Sequence, residues 1–113
     1  DLTWKPHVAP RVNFGWVRAI YKAQRELMKP FSVNAPFLIL HSEKSVTDIK
    51  DKEQIQTCDS ILNVEDIKRI ARNIRGDVDI VAIPGGLHDL VLSGKEVREN
   101  VYREIFRWWE SLG

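Results

Sequence analysis

Two short apolar runs constrain the fold of this chain more than any other feature. Residues 36–41 read Pro-Phe-Leu-Ile-Leu-His, and residues 78–83 read Val-Asp-Ile-Val-Ala-Ile. Runs of this length and character are typical of strands that are buried on both faces of a parallel sheet. Because helical segments lie before, between and after them, the sequence predicts parallel strands joined by helical crossovers, which is an α/β layered fold.

The predicted helices are three segments whose apolar residues recur at helical spacing. They cover residues 13–29, 63–75 and 94–112. Asn13 and Asn63 are suitable N-caps for the first two helices. Pro30 and Gly76 are suitable residues for ending them.

Two further segments and the number of strands define the expected domain organisation. Residues 1–12 contain two prolines and are predicted to be an extended lead-in, while the polar residues 42–58 are predicted to be an insertion near a site. Two strands are too few for a stable parallel sheet with both faces covered. We therefore expect the end of a larger α/β domain, with residues 1–30 near a cap–core junction and residues 31–113 in the core.

Composition excludes several classes of function. The chain has 17 Lys and Arg against 16 Asp and Glu, and these charges are mixed, so it carries no basic footprint for nucleic acid. No apolar run approaches the roughly 20 residues of a membrane span. Cys58 is the single cysteine, and no Cys/His spacing suits a metal. We expect no metal, no cofactor and a cytoplasmic location.

The second apolar run leads directly into a candidate catalytic residue. Pro84, Gly85 and Gly86 form a turn signal after the strand, and His88 follows it. Loops at the ends of rigid strands often hold catalytic groups, and histidine is the usual general base. The alternative is a turn histidine that bonds a local carbonyl. Asp89 is adjacent and is expected to be a local turn or helix-start group.

A candidate acid lies before the second helix. Asp59 is followed by an apolar pair and a helix start, in the order Asp-Ser-Ile-Leu-Asn-Val-Glu-Asp over residues 59–66. Its alternative role is an Asx-turn or an acid at a helix N-terminus. Asp48 and Asp51, in the polar segment before it, are rival candidates for an acid that pairs with the histidine.

Taken together, these motifs resemble a known family. The segment Pro-Gly-Gly-Leu-His-Asp-Leu at residues 84–90 is similar to the histidine loop of α/β-hydrolases, and residues 59–66 are similar to their acid-bearing turn. From about Asn13 onward, the chain resembles the C-terminal part of an α/β-hydrolase, close to the lysophospholipase, monoacylglycerol lipase and serine aminopeptidase-like group. The resemblance implies cleavage of carboxylic esters by a Ser-Asp-His triad, with Asp59 as the acid and His88 as the base.

Two departures from the family pattern shape the expectations. The acid usually stands soon after its strand, where this chain has Ser45, so residues 42–58 must loop out and return if Asp59 is the acid. No Gly-x-Ser-x-Gly elbow occurs in the sequence, so the nucleophile would lie elsewhere. We expect a fragment that is inactive alone, that associates with itself or with a missing N-terminal half, and whose parent acts on an ester or lipid.

A second hypothesis belongs to another class of function. It is a non-catalytic α/β module that binds a partner protein through an open sheet edge. This hypothesis needs no nucleophile. The hydrolase hypothesis predicts that the reading frame upstream encodes Gly-x-Ser-x-Gly, and the interaction module predicts that it does not.

Overall fold

The computed structural model describes residues 11–113, so that nearly all of the predicted lead-in lies outside the described residues. The elements, in chain order, are α1 (Phe14–Leu27), β1 (Phe31–Ser32), β2 (Phe37–Ser42), α2 (Lys52–Thr57), α3 (Val64–Arg72), β3 (Ile74–Arg75), β4 (Val78–Ile83), a 3-10 helix (Leu90–Leu92) and α4 (Lys95–Ser111). The α/β class is confirmed, and all three predicted helices and both predicted strands are present. The short elements β1, β3 and α2 were not predicted.

Strands β2 and β4 are parallel neighbours over their whole length. Their register runs from Phe37 opposite Val78 to Ser42 opposite Ile83. The Glu43 N–H donates to the Ile83 carbonyl at 3.0 Å, which extends the pairing by one further bond. Both strands therefore end at one edge of the sheet, and the segments that follow them begin side by side. Strands β1 and β3 form a second, two-residue parallel pair.

Helices α3 and α4 both contact the two central strands. Leu38, Val81 and Trp108 help to line a small cavity between the sheet and α4. The buried apolar residues of the described chain are few, and they gather around the ends of the strands and the inner faces of α3 and α4. They are Cys58, Val64, Ala71, Ile83 and Val101. The core therefore lies directly beneath the edge where β2 and β4 end.

Helix α1 forms as the sequence predicts but packs little. The Asn13 side chain accepts a hydrogen bond from the Trp16 N–H at 2.8 Å, as expected of an N-cap. No residue of the helix is buried, and Phe14 is 94% exposed. Beyond the helix, the Asn73 side-chain amide donates to the Met28 carbonyl at 3.0 Å. The apolar face of α1 thus has no covering partner within residues 11–113.

Two details of the sequence prediction are wrong. Helix α3 ends at Arg72 and not at Gly76, because the chain becomes strand β3 and pairs with β1. Gly76 has a φ of 147°, and a Cβ there would lie 2.8 Å from the Val33 carbonyl oxygen, so close approach of two backbones requires glycine. The strands are also not buried on both faces, since Phe37 is 41% and Ile80 is 40% exposed.

Candidate active site

A tight turn at the end of β4 sets the direction of the histidine loop. The Gly86 N–H donates to the Ile83 carbonyl at 3.2 Å, and Gly85 between them has a φ of 70°. Proline at the second position and a positive φ at the third define a type II turn, for which glycine is the favoured third residue. The predicted turn is confirmed, and it reverses the chain just before His88.

A buried hydroxyl closes the same loop on its far side. The Ser93 Oγ accepts a hydrogen bond from the Leu87 N–H at 2.9 Å, and Ser93 is only 2% exposed. Between them the chain forms the short 3-10 helix, in which the Leu92 N–H donates to the Asp89 carbonyl at 3.0 Å. His88 therefore sits on a loop that is held at both ends, and Asp89 precedes a helical turn, as expected.

The polar segment after β2 loops out and returns, as the acid assignment requires. The Asp59 N–H donates to the Lys44 carbonyl at 2.8 Å, and the Val46 N–H donates to the Asp59 carbonyl at 2.8 Å. These two bonds form a parallel bridge between Ser45 and Asp59. We refer to residues 46–58, which this bridge closes off, as the excursion. The bridge places Asp59 beside the position where the family acid is expected.

The Asp59 carboxylate makes two kinds of contact at once. Its Oδ1 accepts hydrogen bonds from the Ile61 and Leu62 N–H groups, both at 2.8 Å. Its Oδ2 lies 3.0 Å from the His88 Nδ1, and the Asp59 side chain is 2% exposed. The Asx-turn and the histidine contact, which the sequence left as alternatives, are therefore both present. One oxygen shapes the turn and the other faces the imidazole.

These contacts determine the charge on Asp59 and the tautomer of the histidine. Burial raises the pKa of the Asp59 carboxyl, but the hydrogen bonds from the Leu62 N–H, His88 and the Ile61 N–H outweigh it, so the pKa lies below its ordinary value. The carboxylate is then ionised at neutral pH and can only accept. The proton between the two groups therefore resides on the histidine Nδ1, which leaves Nε2 of a neutral ring free to accept a proton.

The rival acids lie elsewhere. The Asp51 side chain caps helix α2 by accepting from the Glu53 N–H at 2.9 Å. Asp48 Oδ1 accepts from the Lys50 N–H at 2.9 Å. Both therefore serve local turns of the excursion, and in the described structure neither contacts His88. Of the three aspartates considered from the sequence, the structure brings only Asp59 to the histidine.

Two other side chains that could take part in chemistry, His41 and Cys58, are separate from the pair. His41 is 4% exposed, and its Nδ1 lies 2.6 Å from the Ser42 carbonyl oxygen, which is a structural contact. Cys58 is buried, and the polar contact of its Sγ is with the Thr57 hydroxyl at 3.8 Å. Within residues 11–113, neither side chain is hydrogen-bonded to His88.

The histidine is accessible to a reactant, unlike the acid. The His88 side chain is 42% exposed. It borders an open cavity of about 400 Å³ whose other lining is mostly apolar: Leu40, Asp89, Leu90, Val91, Val101 and Ile105. A larger groove of about 890 Å³ runs along the excursion, and Asp59 is among the residues that line it. An exposed base beside a shielded acid is the arrangement that proton transfer to an external group requires.

Sequence reasoning missed the side-chain groups that fix the pair. The two backbone donors to Asp59 belong to the Asx-turn that the sequence offered as an alternative, because aspartate commonly accepts from N–H groups two and three residues later. The hydroxyls of Ser45 and Ser93 gave no signal in the sequence, since their partners lie on other segments. Within residues 11–113, no cluster of three or more His, Cys, Asp or Glu residues is placed to hold a metal.

Comparison of the chain with protein-family models, with curated proteins and with solved structures found no match. Across the described part of the chain, no helix is long and apolar enough to cross a membrane. The structure therefore defines the class as α/β, and any assignment of function depends on the geometry of the site.

Proposed function

We propose that this chain supplies the acid and base of a serine hydrolase of the α/β-hydrolase class. Asp59 is the acid, His88 is the base, and the nucleophilic serine belongs to a segment outside these 113 residues. The proposed substrates are carboxylic esters of the lysophospholipid or acylglycerol type, which the family resemblance implies. The chain alone is expected to have no hydrolase activity.

The observation that carries the proposal is the contact between Asp59 and His88. The two residues are 29 positions apart, follow neighbouring parallel strands and meet at 3.0 Å. The acid is shielded and the base is exposed, with side-chain exposures of 2% and 42%. A buried carboxylate that orients an exposed imidazole is the acid–base half of a nucleophilic triad. Surface ion pairs have no need of this asymmetry.

Each group would have one task in the proposed reaction. The serine Oγ would attack the ester carbonyl carbon while His88 Nε2 takes the serine proton. Asp59 would stabilise the imidazolium that forms, and the ring would then give the proton to the departing alcohol oxygen. Water would then hydrolyse the acyl-enzyme by the same route, which regenerates the serine and releases the carboxylic acid product. No step requires Asp59 itself to be protonated.

The exposed apolar surface of the chain favours a structural partner that covers it. Among the exposed apolar side chains are Trp16 at 56% and Trp109 at 69%. The remainder of a hydrolase core would cover such a surface.

Labelling with a fluorophosphonate probe, followed by intact mass measurement, tests the proposal. We expect the full protein encoded by the reading frame to add one probe and the 113-residue chain to add none. His88→Ala and Asp59→Asn should slow labelling of the full protein by about 100-fold or more. Asp51→Asn, which removes a carboxylate from the excursion but not from the pair, is the matched control and should label normally.

The same exposed surface favours a second candidate function, the non-catalytic interaction module. The face of α1 and the open edges of the two-stranded sheet could bind another protein without any chemistry at His88. The labelling experiment separates the two. If a folded full protein failed to label, or if a reading frame without Gly-x-Ser-x-Gly encoded it, the interaction module would replace the hydrolase.

A further inference from the structure

We infer that Ser45 is a positioning residue for the Asp59–His88 pair. This inference deepens the proposed function, because it names a residue that would act on the reaction through the acid and would not touch substrate. Ser45 lies 14 positions before Asp59 and forms the bridge that closes the excursion. It is partly buried, and its hydroxyl is the only side-chain link between the segment after β2 and the turn that follows Asp59 among the hydrogen bonds of the described residues.

The Ser45 hydroxyl both donates and accepts a hydrogen bond, and both partners lie in the segment that follows Asp59. It donates to the Leu62 carbonyl at 2.9 Å and accepts from the Val64 N–H at 2.9 Å. The partners are 17 and 19 positions away, so these bonds join separate segments of the chain. The Val64 N–H is at the start of α3, where helix donors have no intrahelical partner. The hydroxyl therefore fixes both the turn and the helix start.

Leu62 connects the Ser45 hydroxyl to the acid. The Leu62 carbonyl accepts from Ser45, and the Leu62 N–H donates to Asp59 Oδ1 at 2.8 Å. The other oxygen of that carboxylate, Oδ2, faces His88 Nδ1 at 3.0 Å. A series of hydrogen bonds thus runs from Ser45 through the turn to the imidazole. A shift of Leu62 would move the donor that orients the carboxylate and would change the direction of Oδ2.

The backbone around Ser45 supports the same role. Asp59 is held on one side by the Lys44 carbonyl and on the other by the Val46 N–H, both at 2.8 Å. These bonds hold the Asp59 main chain but leave rotation about its side-chain bonds free. The Ser45 hydroxyl acts on the other half of the turn, where the two donors to the carboxylate lie. Backbone bridge and hydroxyl together fix the position and the orientation of the acid.

Proton NMR of the 113-residue chain tests the inference on the imidazole itself. The readout is the rate at which the His88 Nδ1 proton exchanges with solvent, with its resonance assigned by its loss in His88→Gln. Ser45→Ala removes the donor and the acceptor and should raise the exchange rate by about tenfold or more. Ser45→Thr keeps the hydroxyl and should restore the rate to within about threefold of the original chain.

Ser111→Ala is the matched control. Its hydroxyl also bonds a backbone carbonyl, that of Trp108 at 2.6 Å, but it is at the end of α4, and its loss should leave the exchange rate unchanged. An exchange rate in Ser45→Ala within about twofold of the original would overturn the inference, as would failure of Ser45→Thr to restore it. Loss of dispersed backbone resonances in Ser45→Ala would also overturn it, because the residue would then be maintaining the fold.

A second readout separates this inference from the proposed function. In the full protein, Ser45→Ala should lower kcat by about tenfold and leave KM within about twofold, since Ser45 does not line the cavity that His88 borders. If the full protein were not a hydrolase, the NMR result would still decide whether Ser45 positions the pair. If it were a hydrolase and the exchange rate did not change, the inference alone would fail.

Discussion

Substitution of Asp59 gives the sharpest test of how the site is held together. Alanine removes the acceptor for two N–H groups at 2.8 Å and the partner of His88. Bonds to a charged group are worth about 1.5–3 kcal/mol each. In the variant, water can accept from the N–H of the exposed Ile61 in place of the carboxylate. The cost of burying the negative charge of Asp59 also disappears. We therefore expect Asp59→Ala to lower the free energy of unfolding by about 2–4 kcal/mol.

Substitution of Asp59 by asparagine keeps the shape of the side chain and removes its charge. Its amide oxygen can still accept from the Ile61 and Leu62 N–H groups, so Asp59→Asn should lower the free energy of unfolding at pH 7 by only about 1 kcal/mol. Its amide nitrogen then faces the imidazole and can only donate. The proton of a neutral His88 ring should therefore move to Nε2, which blocks the atom that would act as base. Urea unfolding followed by tryptophan fluorescence measures the first effect, and NMR of the ring nitrogens measures the second.

The difference in free energy of unfolding between the original chain and Asp59→Asn should depend on pH, because the pKa of Asp59 is lowered in the folded state. The folded-state pKa of Asp59 is below its unfolded value of about 3.9, so the ionised carboxylate stabilises the fold above that pH. This contribution is lost as pH falls through the folded value. The advantage of the original chain over Asp59→Asn should therefore shrink as the pH falls below about 4. Parallel loss of stability in both chains on acidification would refute the reasoning.

Two further substitutions test the histidine loop, each by urea unfolding. Gly85→Ala should lower the free energy of unfolding by about 1–2 kcal/mol, because Gly85 has a φ of 70°. Gly85→Asn should lower it by less, since asparagine tolerates a positive φ. Equal losses in the two variants would contradict the assigned turn. Ser93→Ala should cost about 1–3 kcal/mol because it leaves the Leu87 N–H without its buried acceptor, whereas Ser111→Ala at the exposed end of α4 should change stability by less than about 0.5 kcal/mol.

Local signals in the sequence predicted the elements that carry the site. Asn13 and Asn63 cap their helices as expected, and Val78–Ile83 is a strand with the predicted bounds. The order of helices and strands was enough to give the α/β class, because short apolar runs between amphipathic helices have few other solutions. The Pro-Gly-Gly turn was equally clear, since its backbone geometry depends on those residues alone.

Features that depend on distant partners could not be predicted in the same way. The two-residue strands β1 and β3 exist because they pair with each other, and nothing in Ile74-Arg75 alone distinguishes a strand from the end of a helix. The sequence favoured Asp59 as the partner of His88, because an apolar pair and a helix start follow it, and kept Asp48 and Asp51 as rivals. The bridge between Ser45 and Asp59 has no local signature, because it joins residues on either side of the excursion.

Asp59 and His88 are organised by contacts that all lie within this chain. Asp59 is fixed by the bridge to Ser45 and by the two N–H groups of its own turn. The loop that carries His88 is fixed by the turn at Gly85 and by the Ser93 hydroxyl. The exposed apolar face of α1 takes no part in either set. It follows that a segment carrying the nucleophile would meet an acid–base pair already in place, so its docking would supply the serine and would not have to build the pair.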